Sequence, residues 1–246
     1  GALFFGAWEL VVSAFDIKPY FLVPPSDIAG RFVDNVDLIW SAMRVSGANA
    51  LIGLLCGAAL GVAMSFVLLR FKLLDEIVTP LSIALNAVPI FVLVAVFNNM
   101  FAITSEVPRR LMVTLVVYFV VLVNVVRGLR QVDATHVELM RSYAASDWQL
   151  LRRVRVPNAI PYFFTALKIA APLAVITAFV SEYFGGSQNG LGNKITSNLA
   201  TSKKAEGWAY VGGACLLGLS FYLLAIVLET VASPKGAASA RGREGA

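Results

Sequence analysis

Long stretches without charged residues divide this chain. Four of them are clear, at residues 50–69, 77–97, 159–181 and 207–228, and the third contains a single charge, Lys168. A fifth stretch, 111–126, is shorter and rich in β-branched residues. A membrane-spanning helix needs about 20 apolar residues, and backbone groups in lipid must be paired within their own segment. Each stretch therefore predicts a transmembrane helix.

The first apolar stretch, 2–15, is too short for a full span and contains Trp8 and Glu9. It is either the end of a span or an interfacial helix. With it, the pattern predicts an all-α membrane protein with a polytopic bundle of about six transmembrane helices in one domain, residues 1–232. The remaining residues, 233–246, are rich in Gly, Ala and Arg and are expected to form a disordered tail.

Composition supports a lipid environment and argues against other classes. Of the 246 residues, 58% are hydrophobic and 14% are charged, whereas soluble domains carry about 25% charged residues. The net charge of +5 does not indicate a nucleic-acid partner, because membrane proteins collect Lys and Arg on cytoplasmic loops. Cys56 and Cys215 lie in apolar stretches, where we expect small buried side chains. One histidine, His136, leaves too few ligands for a metal site.

The distribution of basic residues predicts the orientation. One set of connections and the C-terminal tail hold eleven Lys and Arg residues, and the opposite set holds eight over longer loops. The positive-inside rule places the first set in the cytoplasm. We therefore expect a multi-pass protein of a cell membrane, with its C-terminus and the long connection 127–158 in the cytoplasm.

Connection 127–158 is too polar to enter lipid, yet it is patterned. Three of its residues fall on one helical face: Val137, Met140 and Ala144. Ser146 and Gln149 then form a capping-box sequence, and Pro157 is expected to end the short helix that follows. Two interpretations remain open: a cytoplasmic knob that another protein grips, or an amphipathic helix resting on lipid headgroups.

The same connection resembles the EAA loop of ABC importer permeases, with the pattern E-A-A, three residues, G, nine residues, I-x-L-P. Glu138 takes the Glu position, Ala144 the Gly position and Val154 the Ile position. Val156 takes the Leu position and Pro157 the Pro position. Leu139 and Met140 replace the two alanines, and Ala144 replaces the glycine. Glycine there would permit a positive φ, so with alanine we expect the turn to keep a negative φ.

Further segments resemble the nitrate, sulfonate and taurine type of these permeases. They include W-E-L at 8–10, N-x-x-x-G-x-R-x-V-D at 124–133 and W-Q-L at 148–150. The resemblance implies the type I ABC importer permease fold. It also implies two cytoplasmic ATPase subunits, a second permease of the same or a related chain, an extracytoplasmic substrate-binding protein and surrounding lipid, without nucleic acid. The family transports small anions such as nitrate, sulfonates and taurine, and heteroaromatic vitamin precursors.

This resemblance implies that the loop 134–157 couples the permease to the ATPase. Its candidate residues are Glu138, Arg141, Ser142, Ala144, Ala145, Ser146, Asp147, Trp148 and Pro157. The sequence has no G-x-x-x-x-G-K-[ST] phosphate loop, so ATP and Mg²⁺ are expected on a partner. We therefore expect the chain to bind no cofactor and not to be an enzyme.

Other residues suggest packing or a solute path. Gly53, Gly57 and Gly61 form two overlapping G-x-x-x-G steps, which bring helices close either within one subunit or at a seam between subunits. Prolines 80 and 89 interrupt one predicted span, and prolines 161 and 172 interrupt another; broken helices often mark transport paths. The candidate path residues are Asn86, Pro89, Asn124 and Lys168, with local kinks as the alternative. Three alternatives are open for Lys168: its ammonium group reaches the cytoplasmic surface, pairs with a carboxylate or faces the solute path.

Two other functions are less consistent with these patterns. A secondary transporter or channel driven by an ion gradient would explain the spans but not the spacing from Glu138 to Pro157. Such transporters also tend to contain internal repeats and ionisable groups within spans, and here only Lys168 qualifies. An intramembrane enzyme is weaker still, because the sequence has no H-E-x-x-H and no paired carboxylates within a span.

Overall fold

The computed structural model describes residues 1–86, 88–101, 105–185 and 189–232, with only the backbone described for residues 2, 83, 85 and 86. Every regular element in these ranges is a helix. The helices are α1 (Ala2–Ala14), α2 (Pro25–Asp34), α3 (Val36–Arg70), α4 (Lys72–Asn86), α5 (Ile90–Met100), α6 (Val107–Arg130), α7 (Ala134–Ser142), α8 (Asp147–Leu150), a π-helical turn (Leu151–Arg155), α9 (Val156–Phe184), α10 (Leu191–Ala200) and α11 (Lys204–Ala232). The expected tail, 233–246, lies outside the described residues.

Four continuous helices in the described ranges are long and apolar enough to cross a membrane: Val36–Arg70, Val107–Arg130, Asp147–Phe184 and Lys204–Ala232. The predicted all-α membrane fold is thereby confirmed. The span predicted at 77–97 is not one continuous helix: the chain forms two helices, α4 and α5, separated at Pro89, one of the two prolines predicted to interrupt it. Proline has no N–H and disfavours a helical residue before it, which explains the break. Prolines 80, 161 and 172, in contrast, lie inside continuous helices.

The chain divides into two compact units. Unit 1 comprises Gly1–Gly53, Pro89–Val113 and Ala174–Leu219. Within it, Glu9 of α1 accepts hydrogen bonds from the backbone N–H and hydroxyl of Ser26, at 3.0 and 2.7 Å. Trp8 packs edge-on against Trp208 of α11, with ring centroids 5.8 Å apart. These contacts join the short apolar helix α1 to α2 and α11.

Unit 2 comprises Leu54–Val88, Thr114–Leu173 and Ser220–Ala246. Gly57 and Gly61 of α3 face α6, where a Cβ added to each would lie 2.7 Å from Val117 Cβ and 2.9 Å from Val121 Cβ, respectively. In unit 1, Gly53 likewise faces Val113 of α6. All three glycines thus serve packing within the chain, the first of the two interpretations left open. The cysteines do not follow expectation, because both are exposed on sides of α3 and α11 that no other described helix covers.

Substitution of Gly57 by alanine is expected to lower stability by about 1 to 3 kcal/mol, because an added methyl group overpacks a tight contact. A Cβ at Gly57 would lie 2.6 Å from the carbonyl oxygen of Thr114, so α3 must move away from α6. Thermal unfolding of the purified chain in detergent, followed by tryptophan fluorescence, measures the loss.

Gly218→Ala provides the matched control, since Gly218 lies in α11 with nothing within 4 Å of the added Cβ. Alanine is the better helix former, so this variant should be as stable as the parent chain or slightly more so. Equal unfolding temperatures for the two variants would contradict the role assigned to Gly57.

Candidate functional site

The segment between α6 and α9 folds as two short helices with well-formed ends. Asp133 caps α7 by accepting a 2.8 Å hydrogen bond from the backbone N–H of Thr135. Asp133 lies outside the membrane spans, and this hydrogen bond to its carboxylate lowers its pKa. Ser146 caps α8, accepting from the N–H of Gln149, while the Gln149 side chain accepts from the N–H of Ser146. The predicted capping box is confirmed.

The turn after α7 corrects the expectation for Ala144. Its φ is +52°, in the left-handed region, and it lies beyond the end of α7 rather than on its apolar face. The backbone N–H of Ala145 donates to the carbonyl of Met140, and that of Ala144 donates to Arg141. These two bonds form a Schellman motif, which requires a left-handed residue at this position whatever its side chain. The hydrogen-bond pattern therefore overrides the preference of alanine.

Ala144→Gly is expected to stabilise this turn by up to about 1 kcal/mol, since the left-handed conformation strains a residue with a Cβ. The amides of residues 144 and 145, which donate the two bonds of the motif, should exchange hydrogen several-fold more slowly. Hydrogen-exchange mass spectrometry of the purified chain measures this.

Ala145→Gly is the control, because Ala145 is not among the described residues with a positive φ. Glycine there only increases the freedom of the unfolded chain, so exchange should become faster or stay unchanged. Slower exchange in both variants would show that strain at Ala144 is not the cause.

The junction between α8 and α9 corrects the expectation that Pro157 ends a short helix. α8 continues through the π-helical turn into α9, so that Asp147–Phe184 is one continuous helix. In the wide turn, the N–H of Val156 donates to the carbonyl of Leu151, five residues back. Pro157 follows directly, and the π-helical turn accommodates its missing N–H. The short helix and the span are therefore mechanically connected.

The tips of α7 and α8 expose large side chains. Leu139, Tyr143 and Trp148 are 51%, 76% and 66% exposed. We call these three residues the coupling surface, and residues 134–157 the coupling segment, after the role that the resemblance predicts for them. The polar candidates around them, Glu138, Arg141, Ser142, Ser146 and Asp147, are exposed as well, whereas Ala145 is half-buried. Exposed aromatic side chains on a polar segment are typical of a surface that a protein partner covers.

The base of this segment is fixed to the ends of the spans. The side-chain amide of Asn158, at the start of α9, donates to the carbonyls of Gly128 and Gln131, at 2.7 and 2.9 Å. Gly128 allows this approach, because a Cβ there would lie 2.8 Å from the Cα of Ala159. The carbonyls of Gly128, in the last turn of α6, and of Gln131, just after it, thus share a donor on α9, and the two helices are held together where the coupling segment begins and ends.

A second polar contact joins α4 to α6. Arg130 pairs with Asp75 at 2.9 Å, and Thr79 donates to the other carboxylate oxygen at 2.8 Å. Partial burial alone would raise the pKa of Asp75, but the bonds from Thr79 and Arg130 and the charge of Arg130 lower it overall. Arg130 also donates to the carbonyl of Leu68 at the end of α3. Neither Asp75 nor Thr79 stands out in the sequence.

The candidate path residues of unit 2 with described side chains, Asn124 and Lys168, have separate partners. Pro89 starts α5, and the side chain of Asn86 lies outside the described residues. Asn124 donates to the carbonyl of Val120 one turn earlier. Lys168 pairs with Glu229 of α11 at 2.7 Å, so of the three alternatives for Lys168 the structure has the contact with a carboxylate. Among described residues, no hydrogen bond or ion pair links Asn124 to Lys168.

A buried polar cluster in unit 1 was not predicted. Glu182, 1% exposed near the end of α9, accepts hydrogen bonds from Ser46 of α3 at 2.7 Å and from the N–H of Gly192 at 3.1 Å. The hydroxyl of Ser46 accepts in turn from the N–H of Leu191 at 2.9 Å. The first two amides of α10 are therefore capped by side chains from α3 and α9. The second carboxylate oxygen of Glu182 has no partner among described residues.

A neighbouring network in the same unit connects α3 to α6. The side chain of Asn49 donates to Glu106 at 2.6 Å and accepts from Arg110 at 3.0 Å. Arg109 pairs with Glu106 at 2.8 Å and reaches the carbonyl of Gly185 after α9. Ser46 and Asn49 are one helical turn apart, and this polar pair beside an apolar stretch is the signal that could have indicated both clusters.

Known proteins share the elements that build this site. Residues 53–235 match the family model described as binding-protein-dependent transport system inner membrane component. The chain belongs to this family. The coupling segment, the π-helical turn and all of α9 lie within the matched residues. The protein is therefore a multi-pass membrane permease of a transport system that depends on a binding protein, and the resemblance to ABC importer permeases is confirmed.

Individual relatives agree with this assignment. The permease is 32% identical to the formylaminopyrimidine transport permease protein ThiX of Halalkalibacterium halodurans, over 75% of this chain and 73% of the relative. It is 27% identical to the riboflavin transport system permease protein RibX of Chloroflexus aurantiacus, over 90% of this chain and 83% of the relative. A crystal structure of an amino acid ABC transporter with histidines shares its fold, with a TM-score of 0.67 and 15% identity over 80% of this chain and 95% of the other.

Proposed function

We propose that this permease is the membrane-spanning subunit of an ATP-driven importer, and that segment 134–157 couples it to a separate ATPase. The observation that carries the proposal is the exposed Trp148 of the coupling surface, which lies on α8, the short helix that continues through the π-helical turn into α9. A partner that binds Trp148 can therefore pull directly on a membrane span. Glu138, Arg141, Ser142 and Asp147 form the polar rim of the contact, because they are exposed around the aromatic side chains.

The assembly contains two cytoplasmic ATPase subunits, a second permease of the same or a related chain, and an extracytoplasmic binding protein. ATP and Mg²⁺ bind to the ATPases, which perform the hydrolysis. Closing of the ATPases on ATP tilts the spans between inward-open and outward-open states. Reversing a 1:99 population to 99:1 needs roughly 5.5 kcal/mol of differential binding, which ATP at two sites can supply.

The orientation places segment 134–157 and the C-terminus in the cytoplasm of a prokaryotic cell. The excess of Lys and Arg on that set of connections supports this. Residues 1–232 constitute the permease domain, and Asn86, Pro89, Asn124 and Lys168 remain candidates for the solute path. The solute is a small polar or anionic compound, similar to nitrate, sulfonates or taurine, or a heteroaromatic vitamin precursor; relatives named for formylaminopyrimidine and riboflavin transport support the last class.

Co-expression of the tagged permease with the ATPase of its own transport system tests this function. The expected result is co-purification in mild detergent, together with uptake in proteoliposomes that requires both ATP and the binding protein. Uptake by the permease alone, driven by an ion gradient in vesicles without ATP, would establish the rival secondary transporter instead.

A further inference from the structure

A cavity of about 310 Å³ in unit 2 lies between the end of α3 and the start of the Asp147–Phe184 helix. Phe66 and Leu69 line it from α3, and Leu150 lines it from α8. Two basic residues, Arg70 and Arg155, complete it together with the carboxylate of Asp147. The cavity thus combines an apolar wall with positive charge, and of the residues assigned to the ATPase contact only Asp147 lines it.

The two arginines have no anionic partner in the described part of the chain. Neither Arg70 nor Arg155 takes part in an ion pair there. Arg70 is exposed and Arg155 is half-buried. Guanidinium groups bind phosphate oxygens in a planar, bidentate geometry. With Asp147 present, the charged lining has a net charge of +1, which fits a phosphate diester.

The position of the cavity along α3 indicates where the ligand comes from. Arg70 is the last residue of α3 and follows directly on the apolar stretch 50–69. The cavity therefore lies at the level where hydrocarbon gives way to headgroups. Basic pockets between membrane helices at this level bind anionic lipid headgroups.

We propose that this cavity binds a phosphatidylglycerol-type phospholipid. Arg70 and Arg155 bind the phosphate, Phe66 and Leu69 contact the upper part of the acyl chains, and Asp147 accepts a hydrogen bond from a headgroup hydroxyl. Because the lipid contacts both α3 and the segment that leads into α9, it stabilises the position of α8 against α3 at the membrane surface. The proposal uses the orientation given under Proposed function, but lipid binding by the isolated chain does not depend on an ATPase.

Native mass spectrometry of the full-length chain in detergent tests the proposal, with phosphatidylglycerol, phosphatidylcholine or inorganic phosphate added at equal concentration. We expect phosphatidylglycerol to be retained and phosphatidylcholine to be retained weakly, because choline has no hydroxyl or N–H for Asp147. The double variant Arg70→Gln, Arg155→Gln should bind phosphatidylglycerol roughly 30-fold more weakly, since each basic residue near an anionic headgroup contributes roughly five- to sixfold.

Arg152→Gln is the matched control, because Arg152 is exposed in the same π-helical turn but does not line the cavity. It should retain phosphatidylglycerol as the parent chain does. The two single variants, Arg70→Gln and Arg155→Gln, should each give part of the loss with unchanged unfolding temperatures, which separates lost binding from lost folding.

Three outcomes would overturn the proposal: equal retention of the two lipids, undiminished retention by the double variant, or displacement of the lipid by inorganic phosphate alone. The last outcome would identify a site for free phosphate. A permease that binds the lipid as expected but captures no ATPase would refute the coupling proposal and leave the lipid site standing.

Discussion

Replacement of Trp148 by alanine is expected to weaken binding of the ATPase strongly while leaving the permease folded and inserted. Trp148 is 66% exposed in the isolated chain, so its removal costs little folding energy. Central aromatic residues of an interface typically contribute about 2 to 4 kcal/mol to binding. The ATPase should therefore bind roughly 30- to 1,000-fold more weakly. Surface plasmon resonance with the permease in nanodiscs and the ATPase in solution measures this affinity.

Trp40→Ala is the matched control for Trp148→Ala. Trp40 is 60% exposed on the first turns of α3, before the apolar stretch, and therefore on the side opposite the coupling segment in the proposed orientation. Its loss removes the same side chain from a comparable environment and should leave ATPase affinity unchanged. Unaltered affinity in Trp148→Ala, or an equal loss in both variants, would contradict a specific role for the coupling surface.

The sequence predicted the membrane helices because the free energy of transferring a segment into lipid depends directly on its side chains, and a segment in lipid must be helical to pair its backbone groups. The apolar stretches 50–69, 111–126, 159–181 and 207–228 all lie in long helices. The break at Pro89 could not be placed from the proline alone. Prolines 80, 161 and 172 lie in continuous helices, so the residue type does not determine whether a helix breaks. Tertiary contacts that satisfy the freed carbonyls decide this.

The coupling segment was predictable where its structure depends on local hydrogen bonds. The capping box of Ser146 and Gln149 follows directly from the sequence. The positive φ of Ala144 does not, because alanine has no intrinsic preference for it and the Schellman bonds to Met140 and Arg141 impose it. The π-helical turn before Pro157 has no sequence signature in a single chain, and it changes a short isolated helix into the start of a span.

Buried polar contacts between distant segments were the least predictable. In the sequence Glu182 directly follows the apolar stretch 159–181, and nothing local relates it to Ser46, 136 positions earlier. Residues 186–188, a few positions further on, lie outside the described residues. The exposed parts of the candidate site could therefore be located by spacing, whereas the groups that cap α10 depend on the packing of α3, α9 and α10 against one another.

Loss of the carboxylate of Glu182 is expected to destabilise the start of α10 strongly. Glu182→Ala removes the acceptor for both the Ser46 hydroxyl and the Gly192 N–H, and it leaves a cavity next to Gly190. Buried groups left without a partner cost about 1 to 3 kcal/mol, and the cavity adds to this, so we expect a total of about 2 to 4 kcal/mol. The amides of Leu191 and Gly192 should exchange hydrogen at least tenfold faster, as measured by mass spectrometry.

Two substitutions distinguish this role from general sensitivity of the region. Glu182→Gln keeps an oxygen that can accept both hydrogen bonds and should retain most of the protection of the two amides, because Gln and Glu have nearly the same shape. Ser181→Ala alters the adjacent residue, which is fully buried with a hydroxyl that has no partner among described residues, so its removal should cost almost nothing. If Ser181→Ala loosened α10 as much as Glu182→Ala, or if Glu182→Ala left exchange unchanged, the carboxylate could not be the group that anchors α10 to α3 and α9.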